Sequence, residues 1–198
     1  VYTSFPAAGG IILPSRAVVS NLPVTDTAGN SNIGYLRLSP DASKIATTYV
    51  SSTTGGWLMD FNKATGVINN PISLTTTRAN NRFYGAEFSP NSQLLYINAN
   101  STNSANACGI NNNREVLQYQ IGGAPNWNSS PFVLPATGAN SGRGALQLGI
   151  DGKIYHARVC QRWLGVIRSP NSVGLAADYV DDGLALNDFS QEGLPPFI

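Results

Sequence analysis

The chain has 198 residues, 42% of them hydrophobic and only 12% charged, with a formal net charge of +1. An average soluble domain carries roughly 25% charged residues; here the polar surface is made instead from 21 Asn, 19 Ser and 13 Thr beside 20 Gly. Nine scattered Arg and three Lys form no basic stripe for nucleic acid, no run approaches the roughly 18 apolar residues of a membrane span, and the aromatic and β-branched content argues against disorder.

Long helices are built from Lys, Glu, Ala and Leu, whereas Asn, Ser and Gly favour turns and Thr, Val, Ile and Tyr favour strands. The composition therefore predicts an all-β chain rich in loops. No basic segment followed by an apolar one opens the chain, so no signal peptide is visible. The start at Val1 without Met suggests a processed or truncated chain.

In chain order, Val1–Phe5 reads as a strand, Ala8–Gly10 as a turn and Arg16–Ser20 as a second strand. Three similar segments follow, 35–49, 85–98 and 145–157, each an alternating strand, a tight turn and another alternating strand. The turns are Ser-Pro-Asp-Ala, Ser-Pro-Asn-Ser and Gly-Ile-Asp-Gly, with Asp41, Asn91 and Asp151 marking the register at spacings of 50 and 60 residues. Pro pre-sets φ at the first central turn position, and the Asp or Asn beside it tolerates the bridge or left-handed region. Each hairpin leads to a third strand (56–61, 115–121, 163–167) and a further turn (62–66, 122–125, 168–171). A fourth strand closes the first two units at 72–75 and 131–134.

Four antiparallel strands per repeat, at this period, are the signature of a β-propeller blade. The expected fold is thus an all-β, partial β-propeller of about three and a half blades. The units are residues 1–30 (second half of a blade), 31–80, 81–140, and 141–198 with a closing segment. An incomplete circle leaves open sheet faces and edges, so further blades or a partner chain are expected at the open edge.

The ordered segments 33–41, 61–67, 84–91, 144–155, 164–167, 178–183 and 193–198 resemble the WD40-like (YVTN/lactonase-like) propeller of large Bacteroidota surface proteins. Those proteins carry PKD-type domains and a gliding-motility-associated C-terminal sorting domain. The resemblance covers nearly the whole chain. It implies a secreted or cell-surface module, exported by the type IX route, in which the propeller serves recognition or scaffolding. The N-terminal half of such a propeller and the companion domains are absent here, and Ala177 stands where relatives are expected to have Cys.

Cys108 and Cys160 both fall between the second and third strands of their units, in loops expected on one face, and an exported setting permits a disulfide between them. Two Cys and one His lack metal-ligand spacing, so no metal and no cofactor are expected. Asn32, Tyr35, Arg82, Tyr84 and Arg143 stand at or just before the first strands of their blades, where they would ring one mouth of the channel. Guanidinium forks, phenol rings and amides there suit sugar hydroxyls, carboxylates or peptide backbone. The alternative is packing between blades. His156, the single histidine, joins this set as a strand residue near the channel; no Ser or Asp constellation marks it as a general base.

Trp57 and Trp163 are expected between blades and Trp127 in an exposed loop. Asp178, Asp181 and Asp182 read as a solvated acidic loop, since their spacing is not that of an EF-hand. Asn100-Ser-Thr102 and Asn128-Ser-Ser130 match the glycosylation acceptor pattern. The function expected from these residues and the resemblance is an extracellular, non-enzymatic binding or scaffold module with a glycan or surface-protein ligand. A lactonase-like hydrolase is the first alternative and a structural subunit of a filament or envelope complex the second.

Overall fold

A computed structural model describes residues 18–22, 33–50, 55–75, 82–100, 114–135 and 143–195. Among them, twelve strands form three antiparallel four-stranded sheets. The first holds β1 (Leu36–Leu38), β2 (Lys44–Thr48), β3 (Gly56–Phe61) and β4 (Ile68–Leu74) in that spatial order. The second holds β5 (Arg82–Phe88), β6 (Leu94–Asn100), β7 (Arg114–Gln120) and β8 (Phe132–Leu134). The third holds β9 (Leu146–Leu148), β10 (Ile154–His156), β11 (Trp163–Ile167) and β12 (Tyr179–Ala185). The predicted third strands of the first and third units coincide with β3 and β11.

The sheets stack face to face, and the stacking surfaces follow from the period-two alternation of each strand. Ala46, Leu58 and Leu74 of the first sheet meet Ala86, Phe88, Leu95, Ile97, Leu117 and Tyr119 of the second in one apolar cluster. Leu94, Tyr96, Val116 and Leu134, on the other face of the second sheet, meet Leu146, Ile154, Ile167 and Tyr179 of the third. Burying a side chain such as Phe88 or Leu117 stabilises by roughly 1.5–3 kcal/mol relative to leaving it in water. The first strands of the three sheets lie closest together, with β5 against both β1 and β9.

The hairpin turns explain the register. In the first, Ser39 N–H donates to the Lys44 carbonyl at 2.9 Å and Ala42 N–H to the Ser39 carbonyl at 2.8 Å. The Asp41 carboxylate accepts from the Ser39 hydroxyl at 2.6 Å and from Ser43 N–H at 3.0 Å. The Ser39 bond above all holds the Asp41 carboxyl down at about 2. Asn91 repeats this with Ser89. Of the two regions expected for the Asp or Asn, the left-handed one falls instead to the residue after it: Ala42 (φ 56°), Ser92 (φ 61°) and Gly152 (φ 77°).

The third turn is one residue shorter. Gly149 N–H bonds the Lys153 carbonyl, whereas Ser89 N–H bonds that of Leu94. Ile154 consequently pairs with Leu148 as Ile45 pairs with Leu38 and Leu95 with Phe88. A one-residue slip exchanges the two faces of a strand. His156 therefore matches Thr47 and Ile97 in the register, not Ala46 and Tyr96 as spacing from Asp151 suggests.

Four expectations are corrected. The acidic segment after Asp178 is not a loop but β12, hydrogen-bonded to β11 with Val166 opposite Val180 and Leu164 opposite Leu184. Its charges are held by Arg158, whose Nη1 donates to the Asp181 carbonyl at 2.8 Å and pairs with the Asp182 carboxylate. Trp163 is 42% exposed instead of wedged between blades. Trp127, expected exposed, packs half-buried against the first cluster. Val18–Ser20, the described part of the predicted strand 16–20, forms no strand; Ser20 Oγ instead accepts from Ile68 N–H at 2.9 Å. The predicted strand at 1–5 and turn at 8–10 lie outside the described residues.

Candidate functional site

The three innermost strands are tied by a charged pair at one repeat position. Arg37, Glu87 and Gln147 each stand four residues before their turn Asp or Asn. From β1, Arg37 Nε donates to the Ala86 carbonyl of β5 and Nη2 to the Leu146 carbonyl of β9, both at 3.2 Å. The Glu87 carboxylate, 3.7 Å from Arg37 Nε, accepts from Leu148 N–H at 2.9 Å and Phe88 N–H at 3.0 Å. Burial still dominates, raising the Glu87 pKa from the ordinary carboxylate value against the pull of Leu148 N–H and Arg37. Both groups carry out structural work: they join consecutive sheets at their inner ends.

At the end of the inner strands opposite the hairpin turns, the rings of Tyr35 and Tyr84 meet edge to face, centroids 5.2 Å apart and planes at 83°. Arg37 lies 5.3 Å from the Tyr35 ring centre and Arg143 5.7 Å from that of Tyr84, within cation–π range. Arg143 also pairs with Glu192 at 3.1 Å. Both phenols are half-buried. Desolvation, with Tyr35 and Glu192 nearby, pushes Tyr84 up to about 12; desolvation also raises Tyr35. Both are therefore neutral hydroxyls at pH 7, able to donate and accept.

Close backbone approach at glycines makes this convergence possible. A Cβ on Gly85 would stand 2.3 Å from the Gly144 carbonyl oxygen and 2.8 Å from Leu146 N, across the second and third sheets. A Cβ on Gly34 would stand 1.8 Å from the Thr48 carbonyl oxygen. Thr48 in turn donates its hydroxyl to the Tyr84 carbonyl, and Asn98 Oδ1 accepts from Gly144 N–H at 3.0 Å. The strand starts that carry Tyr35, Tyr84 and Arg143 are thus held by neighbouring sheets.

The structure brings together Tyr35, Tyr84 and Arg143 of the sequence-predicted set, and adds Arg37 and Glu192. Asn32 lies outside the described residues. Arg82, the first residue of β5, sits opposite Asn100 and is not part of the ring cluster. His156 departs from the expected mouth position: it is completely buried, with Nδ1 2.9 Å from the Tyr179 hydroxyl, and presents no surface to a ligand. The shortened third turn is the reason, since it rotates His156 onto the face packed against the second sheet. The Tyr179 hydroxyl continues to Asp181 Oδ1 at 3.0 Å, beside Arg158. Among the described residues there is no free cysteine. Cys160 lies between β10 and β11, and Cys108 lies outside the described residues.

Sequence reasoning missed Arg37 and Glu192. The signal for Arg37 was present: an Arg, a Glu and a Gln at one position of three aligned strands predict polar contacts where those strands converge. Nothing local marks Glu192, which reaches Arg143 because Glu192 O accepts from Ala145 N–H at 2.8 Å.

No protein-family model matches the chain, and no curated protein is significantly similar to it in sequence. Similarity appears among solved structures. A pyranose dehydrogenase PQQ domain from Coprinopsis cinerea is 16% identical, with a TM-score of 0.48, over 79% of this chain and 37% of that one. Hydrazine synthase of Kuenenia stuttgartiensis is 13% identical, with a TM-score of 0.50, over 80% of this chain and 51% of that one. The chain therefore spans about half or less of the solved chains it matches. At these identities the likeness concerns fold alone. Together with three stacked four-stranded antiparallel sheets converging at their first strands, it identifies the architecture as that of a β-propeller.

Proposed function

We propose that this chain is an extracellular or cell-surface, non-enzymatic recognition module that binds glycan hydroxyls at the mouth formed by Tyr35, Tyr84 and Arg143. The carrying observation is the cluster itself: two neutral, half-buried phenols set edge to face, each with a guanidinium against its ring. A sugar presents apolar C–H faces and hydroxyl edges, which match a phenol ring and a fork of N–H donors respectively. The surface location is supported by the amide- and hydroxyl-rich composition and by the resemblance to type IX-secreted surface proteins.

The test is a glycan array with the wild-type chain and Arg143→Ala. We expect binding to a glycan subset, weakened about tenfold in the variant, which corresponds to roughly 1.4 kcal/mol. Absence of glycan binding, or equal binding by the variant, refutes the reading. Capture of a surface protein that Arg143→Ala leaves intact refutes it too, because the ligand then engages another part of the molecule.

A further inference from the structure

We infer that the glycan taken at this mouth is an acidic one, with the carboxylate of a uronic acid held by Arg37. The inference rests on the glycan reading and names the sugar class for the same site. It starts from the donors of one side chain. A guanidinium carries five N–H donors and no acceptor. Arg37 commits two of them inside the fold, Nε to the Ala86 carbonyl and one Nη2 hydrogen to the Leu146 carbonyl, both at 3.2 Å. The other three, both hydrogens of Nη1 among them, meet no acceptor among the described residues. The side chain is 28% exposed.

The charge of Arg37 is also the less compensated of the two at the mouth. Glu87 Oε2 is 3.7 Å from Arg37 Nε, and the two Glu87 oxygens already accept from Phe88 N–H and Leu148 N–H. Burial raises the Glu87 pKa, so the ionised form that would offset Arg37 is the costly one there. Gln147, at the equivalent position of the third inner strand, is neutral and buried. Arg143, by contrast, is paired directly with Glu192 at 3.1 Å. Arg37 is therefore the guanidinium left to receive an external anion.

The neighbouring groups suit the rest of such a sugar. The Arg37 guanidinium lies 5.3 Å from the Tyr35 ring centre, that centre 5.2 Å from the Tyr84 centre, and that one 5.7 Å from the Arg143 guanidinium. A carboxylate on Arg37 brings the ring that bears it against the phenol pair, where C–H faces meet aromatic surface. Its hydroxyls then turn toward the donors of Arg143 and the acceptor oxygens of Glu192. A neutral sugar fills the same space but forgoes the charge-assisted bond, which is about twice as strong as a neutral one. The site is bounded by β1, β5 and β9: Arg37 springs from the first, and its two internal bonds lie on the second and third. It depends on neither outward face of the array.

The experiment is titration calorimetry on the 198-residue chain with oligomers of galacturonate, glucuronate and mannuronate, each beside its methyl ester and its neutral hexose counterpart. We expect one or more of the acids to bind about tenfold or more tightly than both neutral forms, with a preference that shrinks as salt is raised. Arg37→Gln should bind acid and ester alike. That variant also removes two bonds between inner strands, so its melting curve is taken first; if it does not fold, the wild-type comparison decides alone. Equal binding of acids and neutral forms, or binding of neutral forms only, overturns the inference and leaves the glycan reading standing. So does a folded Arg37→Gln that keeps the preference, because the carboxylate then sits elsewhere. Binding of no sugar, acidic or neutral, overturns both.

Discussion

Replacing Gly85 by Ala tests the convergence on which the site depends. The added methyl would lie 2.3 Å from the Gly144 carbonyl oxygen, 2.8 Å from Leu146 N and 3.0 Å from the Ala145 carbonyl carbon. All three are backbone atoms, so no rotamer change relieves the contact; β5 and β9 must part by about 1 Å. A gap of that size forfeits a quarter to a half of each dispersion contact across it. The apolar stacking of Leu94, Tyr96, Val116 and Leu134 on the third sheet would loosen accordingly. Overpacking of this kind costs about 1–3 kcal/mol, partly offset by about 0.4–1 kcal/mol from the stiffer unfolded chain. A net loss near 1–2 kcal/mol lowers the Tm of a chain this long by about 2–8 °C. The control is Gly193→Ala, where the methyl meets nothing within 4 Å and the change should stay within about 0.5 kcal/mol. Thermal unfolding followed by circular dichroism reads both. If Gly85→Ala melts with Gly193→Ala, the second and third sheets do not approach through their inner strands and the stacking is wrong.

Glu87→Gln should alter the pH dependence of stability. The folded-state pKa of Glu87 is raised by burial, so its contribution is fully present below the ordinary carboxylate value and is lost as pH rises through the raised one. The wild type should therefore lose stability relative to Glu87→Gln as pH rises above the ordinary carboxylate value, by denaturant titration of both; a pH-independent difference contradicts the assignment. Asp41, held low by Ser39, is common to both proteins and cancels. For the cysteines, we expect no reactive thiol when unreduced protein is denatured and titrated, and two after reduction, if Cys108 pairs with Cys160; two thiols before reduction refute the pairing.

What the sequence determined by itself was everything set by local chemistry. The Ser-Pro-Asp and Ser-Pro-Asn turns and the alternating strands on either side define each hairpin, and the stripes at 56–61 and 163–167 define third strands; all recur in the sheets. Tyr35, Tyr84 and Arg143 stand six, seven and eight residues before Asp41, Asn91 and Asp151, so the repeat brings all three to the same end of the inner strands, though not to one register position. The tertiary structure decided what depends on distant partners. β12 carries two adjacent aspartates that look like solvated loop until Arg158, more than twenty residues earlier, supplies the charge and the donor to keep them in a strand. His156 was drawn off the mouth by a single missing turn residue, since side chains in a strand alternate and one step exchanges water for core. Trp127 is sheltered because the Asn128 amide, in the same loop, donates to the Ser73 carbonyl of the first sheet at 3.0 Å. Such a bond across 55 residues exists only once the sheets are stacked, and no local propensity encodes it.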